Sequence, residues 1–198
     1  MERIKFVASV DILIKGYNRE LNEDYHKYAS TCTLVRDKDV TMVVDPGSHE
    51  SIGMYIFALG EYGLTLADIN FVFTTHEHLD HSMNRAVFEN ATIIDRYGYH
   101  HGDEHRFHSN DEEFSISDDI TMIATPGHGG DIHASLLVRT TEGIICVAGD
   151  VWWYEDFTPE IDPNATSQED LEVSRRKILD AADYIIPGHG GKVRNPER

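Results

Sequence analysis

The stretch Ile69-Asn70-Phe71-Val72-Phe73-Thr74-Thr75-His76-Glu77-His78-Leu79-Asp80-His81 runs from an apolar segment straight into a polar cluster. A short continuous apolar run, rich in aromatic and β-branched residues, reads as a buried strand over 69–73. The cluster then occupies the turn from strand to helix, with a short helix expected over 84–88. Three imidazoles and a carboxylate within positions 76–81 converge only if the backbone curls about a common point, and a divalent metal ion is the natural occupant of that point. A solvated histidine-rich turn is the competing reading of an isolated His-x-His, and Asp80 and His81 weigh against it.

Three further segments repeat the pattern of an apolar strand that ends in a metal-binding side chain. His128 lies in Thr125-Pro126-Gly127-His128-Gly129 after an expected strand at 120–124. Asp150 closes the apolar run 144–149, and His189 lies in Pro187-Gly188-His189-Gly190 after a strand at 184–186. The flanking glycines let the backbone approach closely. Each polar residue sits at the C-terminal edge of its strand, so all can share one rim of a sheet, where α/β proteins place their sites.

Outward from these segments, strands are expected at 4–14, 31–36, 40–44, 91–94, 135–138 and 144–147, with a polar loop over 18–27 and a turn at 37–39. A helix is expected over 51–62, where Ile52, Tyr55, Ile56 and Leu59 have helical spacing. A second is expected over 168–182, entered through Thr166, which with Glu169 has capping-box spacing. Residues 97–113 read as an irregular, histidine-dense inserted loop. Strands come in runs, which predicts one α/β domain over 1–198 built from a pair of mixed sheets covered by helices, not an all-parallel doubly wound sheet.

A chain of 198 residues is long enough to bury roughly 70% of its unfolded surface without staples. Its 35 acidic against 17 basic side chains, a formal charge of −18, argue against a general grip on nucleic acid, which needs clustered Lys and Arg. Twelve histidines in so acidic a chain point to bound cations. Cys32 and Cys146 lie far apart in apolar runs, so a disulfide framework is not expected and a reducing cytosol is. No apolar run approaches the ~20 residues that span a bilayer, and the first ten residues lack the order of a signal peptide. The expectation is a soluble cytoplasmic protein.

The combined motif, His76-x-His78-x-Asp80-His81 with His128, Asp150 and His189, resembles that of the metallo-β-lactamase-fold hydrolases, over nearly the whole chain from the Val44-Asp45-Pro46-Gly47 strand end to His189. More narrowly, Thr125-Pro126-Gly127-His128-Gly129-Gly130, Val147-Ala148-Gly149-Asp150-Val151 and the closing segment 174–190 resemble the metallo-β-lactamase domain-containing protein 1 group. The resemblance implies a four-layer αββα sandwich. It implies that His76, His78 and His128 hold one metal ion, that Asp80, His81 and His189 hold a second, and that Asp150 bridges them. Two ions about 3.5 Å apart share a water, lower its pKa and present hydroxide to carbon or phosphorus. Asp80 would orient that hydroxide, and Asp45 would hold a ligand histidine by its free N–H and fix its tautomer. A plain turn carboxylate before Pro46 is the alternative for Asp45. Zinc is the first expectation for this ligand set, with iron and manganese fitting the same donors.

Hydrolysis of an ester, thioester, lactone or phosphodiester is therefore expected. Relatives that reduce oxygen carry Glu where His78 stands, which disfavours redox chemistry. The domain-containing protein 1 group is linked to RNA cleavage, so a phosphodiesterase or ribonuclease is the first alternative, against which the charge stands. A metal-binding protein without turnover is the second. A small-molecule substrate is the expected partner, with no membrane partner. His100, His101, His105 and His108 read as a solvated loop, His133 as a surface or satisfied position, and His26 and His49 as uninformative. Trp152, Trp153 and Tyr154 either line a substrate pocket or pack on a partner subunit, hence a possible homodimer, or on the inserted loop. Phe57 and Phe88 are expected in the core, as is Cys146.

Overall fold

Runs of strands alternate with isolated helices in the computed structural model, which describes residues 7–108 and 113–198. Strands β1 (Ser9–Ile14), β2 (Tyr17–Asn22), β3 (Tyr25–Ala29), β4 (Cys32–Asp37) and β5 (Val40–Val44) lead into helix α1 (Ile52–Gly60). Then come β6 (Phe71–Phe73), the short helix α2 (Leu79–Ser82), β7 (Thr92–Ile94), β8 (Gly98–His101) and β9 (Glu104–Phe107). The remainder comprises β10 (Glu113–Ser115), β11 (Ile120–Ala124), β12 (Ala134–Thr140), β13 (Gly143–Gly149), α3 (Gln168–Ala181), β14 (Tyr184–Pro187) and β15 (Val193–Arg194). One sheet has the order β1-β4-β5-β6-β7-β8-β9 and the other β10-β11-β12-β13-β14-β15. Both are mixed: β5-β6-β7 and β13-β14 pair in parallel, and the other neighbours are antiparallel.

The period of two along each strand builds the layers. Met42 and Val44 of β5 point into a central core together with Met122, Leu136, Ile145 and Val147 of the opposite sheet. Val43, between them, points outward and packs with Leu34, Val72 and the Tyr55 and Leu59 face of α1. Across the sandwich, Cys146 and Ala148 of β13 turn away from the central core toward Leu171 and Ile178 of α3. Strands buried on both faces explain why these runs are continuously apolar. The result is an αββα sandwich of two facing sheets with a helix outside each.

Several expectations are corrected. Residues 18–27 belong to the β2-β3 hairpin, a two-stranded sheet of its own whose side chains mostly face solvent, so it carries no apolar alternation. Residues 97–113 hold the β8-β9 hairpin, which extends the edge of the first sheet, and polar, charged side chains suit such an edge. Residues 109–112 of that loop, and 4–6 of the expected first strand, lie outside the described residues. The helix expected over 84–88 is a single 3-10 turn at Arg85–Val87, preceded by α2. Phe57 is 73% exposed, because two residues on from buried Tyr55 it falls on the far side of α1, whereas Phe88 is buried. The cap of α3 is Ser167, whose side chain accepts from the backbone N–H of Asp170. Thr166 donates its hydroxyl to the Gly127 carbonyl instead, at 3.1 Å. Gly127 has φ +125°, and a Cβ there would lie 2.4 Å from the Leu171 nitrogen, so the turn carrying His128 is pressed onto the first turn of α3.

Candidate metal centre

All seven expected ligands lie on one rim of the sandwich, at or just beyond the C-terminal ends of strands. The first sheet supplies His76 and His78 from the turn after β6, and Asp80 and His81 from α2. The second supplies His128 after β11, Asp150 directly after β13 and His189 after β14. Backbone hydrogen bonds stitch the two halves at this level, from Thr31 to the Gly188 carbonyl at 2.6 Å and from Ala134 to that of Thr75 at 2.9 Å. Gly188 is obligatory, since a Cβ there would fall 1.7 Å from Asp150 Oδ1.

The donor atoms form two clusters, one of His76, His78, His128 and Asp150 and one of Asp80, His81 and His189, each within 4.8 Å. In the first, His78 Nδ1 lies 2.9 Å from His76 Nε2 and 3.1 Å from His128 Nε2. In the second, His189 Nε2 and His81 Nε2 lie 3.3 and 3.7 Å from Asp80 Oδ2. Asp150 faces both. Its Oδ2 is 3.4 Å from His128 Nε2, and its Oδ1 is 3.2 Å from His81 Nε2 and 3.5 Å from His189 Nε2.

Outer hydrogen bonds settle which nitrogen faces inward in three of the rings. His81 Nδ1 donates to Asp45 Oδ2 at 2.8 Å, His128 Nδ1 to Asp162 Oδ2 at 2.6 Å, and His189 Nδ1 to the Ala29 carbonyl at 3.0 Å. In the neutral rings the inward Nε2 atoms are then bare acceptors. His78 Nδ1, set between His76 and His128, has at most one proton to offer two such nitrogens, while buried His81 Nε2 and Asp150 Oδ1 have no hydrogen-bond partner. Divalent cations would satisfy all of these atoms at once, so the donor set fits metal ions.

Burial, then the neighbouring His81 and His133, push the His76 imidazole well below its ordinary pKa, and burial, then His128, lowers that of His78. Burial also opposes charge on His81 and on Asp150, but here it loses. Asp150 and Asp45 hold the His81 imidazole well above its usual range, while His81 and His189 hold the Asp150 carboxyl well below its own. Without cations the centre keeps Asp150 ionised beside protonated histidine.

Asp45 reaches His81, the contact expected of it, from a backbone with φ +46°, a left-handed conformation that Asp tolerates better than most residues. Asp162 was not singled out by sequence reasoning. It lies 34 residues from His128 in an irregular segment, with only the Asx turn it makes to the Asn164 N–H as a local signal. Replacing Asp162 with Ala should weaken zinc binding by about 10- to 100-fold with the fold retained, as measured by chelator competition. Unchanged affinity would remove it from the centre.

His133, expected at the surface or satisfied, is fully buried, stacked 4.9 Å from His76 with its Nδ1 2.9 Å from Thr125 Oγ1. Burial pushes its pKa down to about 3. Trp152 turns into the core against Phe157, whereas Trp153 lines the mouth of the centre. That mouth is a cavity of about 670 Å³ with His78, Asp80, Asp150 and His189 in its wall. Asn18, His26 and Tyr28 of the β2-β3 hairpin also line it, as do Leu79, Trp153, Pro163 and Asn164. His26 was invisible as a pocket residue because its hairpin read as a loop.

Comparison with known proteins agrees with this geometry. The family model described as "Metallo-beta-lactamase superfamily" matches residues 27–189. The Metallo-beta-lactamase domain-containing protein 1 of Xenopus laevis is 32% identical over 192 residues, covering 94% of this chain and 81% of that protein. A metallo-hydrolase candidate of Methanocaldococcus jannaschii is 31% identical over 156 residues, 77% of this chain and 72% of its own. In fold, the crystal structure of a metallo-beta-lactamase candidate from Thermotoga maritima superposes with a TM-score of 0.71 at 22% identity, covering 95% of this chain and 99% of that one. Sequence, layering and the clustered ligand atoms thus agree, and the chain belongs to the metallo-beta-lactamase superfamily.

Proposed function

We propose that this superfamily hydrolase uses two divalent ions, zinc foremost, to cleave a small uncharged ester, thioester or lactone. His76, His78 and His128 would hold one ion, Asp80, His81 and His189 the other, and Asp150 both. The observation that carries the reading is Asp150, whose two carboxylate oxygens face separate histidine clusters. When bound, such a pair of ions supplies a water acidified toward neutrality and polarises the scissile carbonyl. The chain's own part is positioning and proton handling. Asp80, on the cavity wall, accepts a hydrogen bond from the attacking water, takes its proton and returns it to the leaving oxygen or sulfur. Trp153, Tyr28 and Leu79 offer apolar surface to the acyl portion and restrict bulk water.

Substrate charge is the discriminating feature. Among the described residues, no Lys or Arg lines the cavity. Lys27 beside it is engaged by Glu50 at 2.6 Å, and Lys15 by Glu155. A phosphodiester backbone would meet a chain of formal charge −18, with the proposed ions but no described Lys or Arg in the cavity to receive it. The apolar surface of Leu79, Tyr28 and Trp153 instead suits an acyl group. The two thiols, Cys32 and Cys146, are unpaired and buried, which fits the reducing cytosol as its compartment.

The test is zinc-loaded protein assayed against a lactone, a thioester, a β-lactam, a phosphodiester and single-stranded RNA. Turnover of the lactone or thioester is expected to exceed that of both phosphodiesters. Cleavage confined to RNA and the phosphodiester would replace this reading with a nuclease, and silence on all five with two ions bound would favour a binding protein.

A further inference from the structure

Asp45 sits beneath the centre and its carboxylate is shared. Oδ1 accepts the Thr75 backbone N–H at 2.8 Å, and Oδ2 accepts both His81 Nδ1–H at 2.8 Å and the Thr75 hydroxyl at 2.7 Å. On its other side, Thr75 Oγ1 lies 3.1 Å from His76 Nδ1. Asp45, Thr75, His76 and His81 are all buried. A hydroxyl has one proton, and an ionised carboxylate can only accept. The shorter, charge-assisted contact takes that proton, which leaves Thr75 Oγ1 to accept from His76. The chain of donors therefore runs His76 Nδ1–H to Thr75 Oγ1–H to Asp45 Oδ2, where it meets His81 Nδ1–H. The two histidines belong to different clusters.

We propose that Thr75 is a positioning residue that extends the reach of Asp45 from His81 to His76, so that a single carboxylate orients one histidine in each metal cluster. The proposal rests on the two-metal reading above. It assigns Thr75, next to the ligands but never among them, a role in metal affinity, and it requires the hydroxyl, not the methyl group, to carry that role.

The experiment resolves two zinc dissociation constants by chelator competition in the wild type, Thr75→Val and Thr75→Ser. Thr75→Val, nearly isosteric but without the hydroxyl, should weaken one or both constants by about 10- to 100-fold, and Thr75→Ser should stay within about threefold of wild type. A Thr75→Val protein that melts earlier but keeps both constants would assign Thr75 a purely structural role and overturn the proposal. Long-range 1H–15N spectra of the zinc-loaded wild type supply an independent reading that needs no variant to fold. His76 must appear as the Nδ1–H form with Nε2 on the metal, and metal on Nδ1 would overturn the relay. Wild-type protein that binds no zinc overturns the two-metal reading itself, whereas two tightly held ions with Thr75→Val indistinguishable from wild type overturn the relay alone.

Discussion

Asp150→Asn should reduce the metal content of the purified protein from two ions to one or none and lower turnover by at least roughly a thousandfold. The magnitude follows from the several kcal/mol of charge stabilisation that metal ions provide, at about 1.4 kcal/mol per tenfold. Asn keeps the shape of the side chain but removes its charge and leaves one acceptor oxygen for two histidine clusters. Glu is no remedy. The carboxylate already lies against Gly188 so closely that a Cβ on that residue would meet Oδ1 at 1.7 Å, which leaves no room for a further methylene. Metal counting by mass spectrometry checks the first half of the expectation and steady-state kinetics the second. Two retained ions with normal turnover would remove Asp150 from the role proposed for it.

Chelation should have the second largest effect, on stability. One ion present at about 100 times its dissociation constant stabilises the folded state by about 2.7 kcal/mol. At about 2–4 °C per kcal/mol for a chain of this size, stripping one such ion should lower Tm by roughly 5–10 °C, and stripping both by more. Calorimetry with and without a chelator measures it, and an unchanged Tm would contradict metal binding by the folded state. The effect has a pH sign. Ligation needs neutral imidazoles, and in the metal-free centre Asp150 and Asp45 hold a proton on His81 well above the ordinary histidine range. Zinc must displace that proton, so affinity, and with it the stabilisation, falls as pH is lowered.

Both expectations rest on residues that were visible in the sequence, and the reason is local. His76, His78, Asp80 and His81 lie within six positions, and His128, Asp150 and His189 each follow an apolar strand, so chain order alone places them on one rim. The strands buried on both faces were legible for the same reason, as continuous apolar runs. What escaped notice depends on packing between distant segments. Asp162 acquires its role from a buried contact with His128 across 34 residues, and nothing in its neighbourhood distinguishes it from any other turn carboxylate. The β2-β3 hairpin is held mainly by cross-strand pairing, without an apolar face, so periodicity had nothing to report. At α3, Thr166 and Ser167 are adjacent hydroxyl residues that can both cap a helix. Tertiary contact with the Gly127 carbonyl, not local preference, decides between them.

The division of ligands between the two sheets has a consequence for how the protein matures. A chain in which only the first sheet has formed presents His76, His78, Asp80 and His81 without His128, Asp150 or His189, which is too few donors to complete either cluster. If these residues hold the ions as proposed, tight metal capture is expected only once both sheets face each other, and bound metal would then favour chains whose halves have docked in the right register.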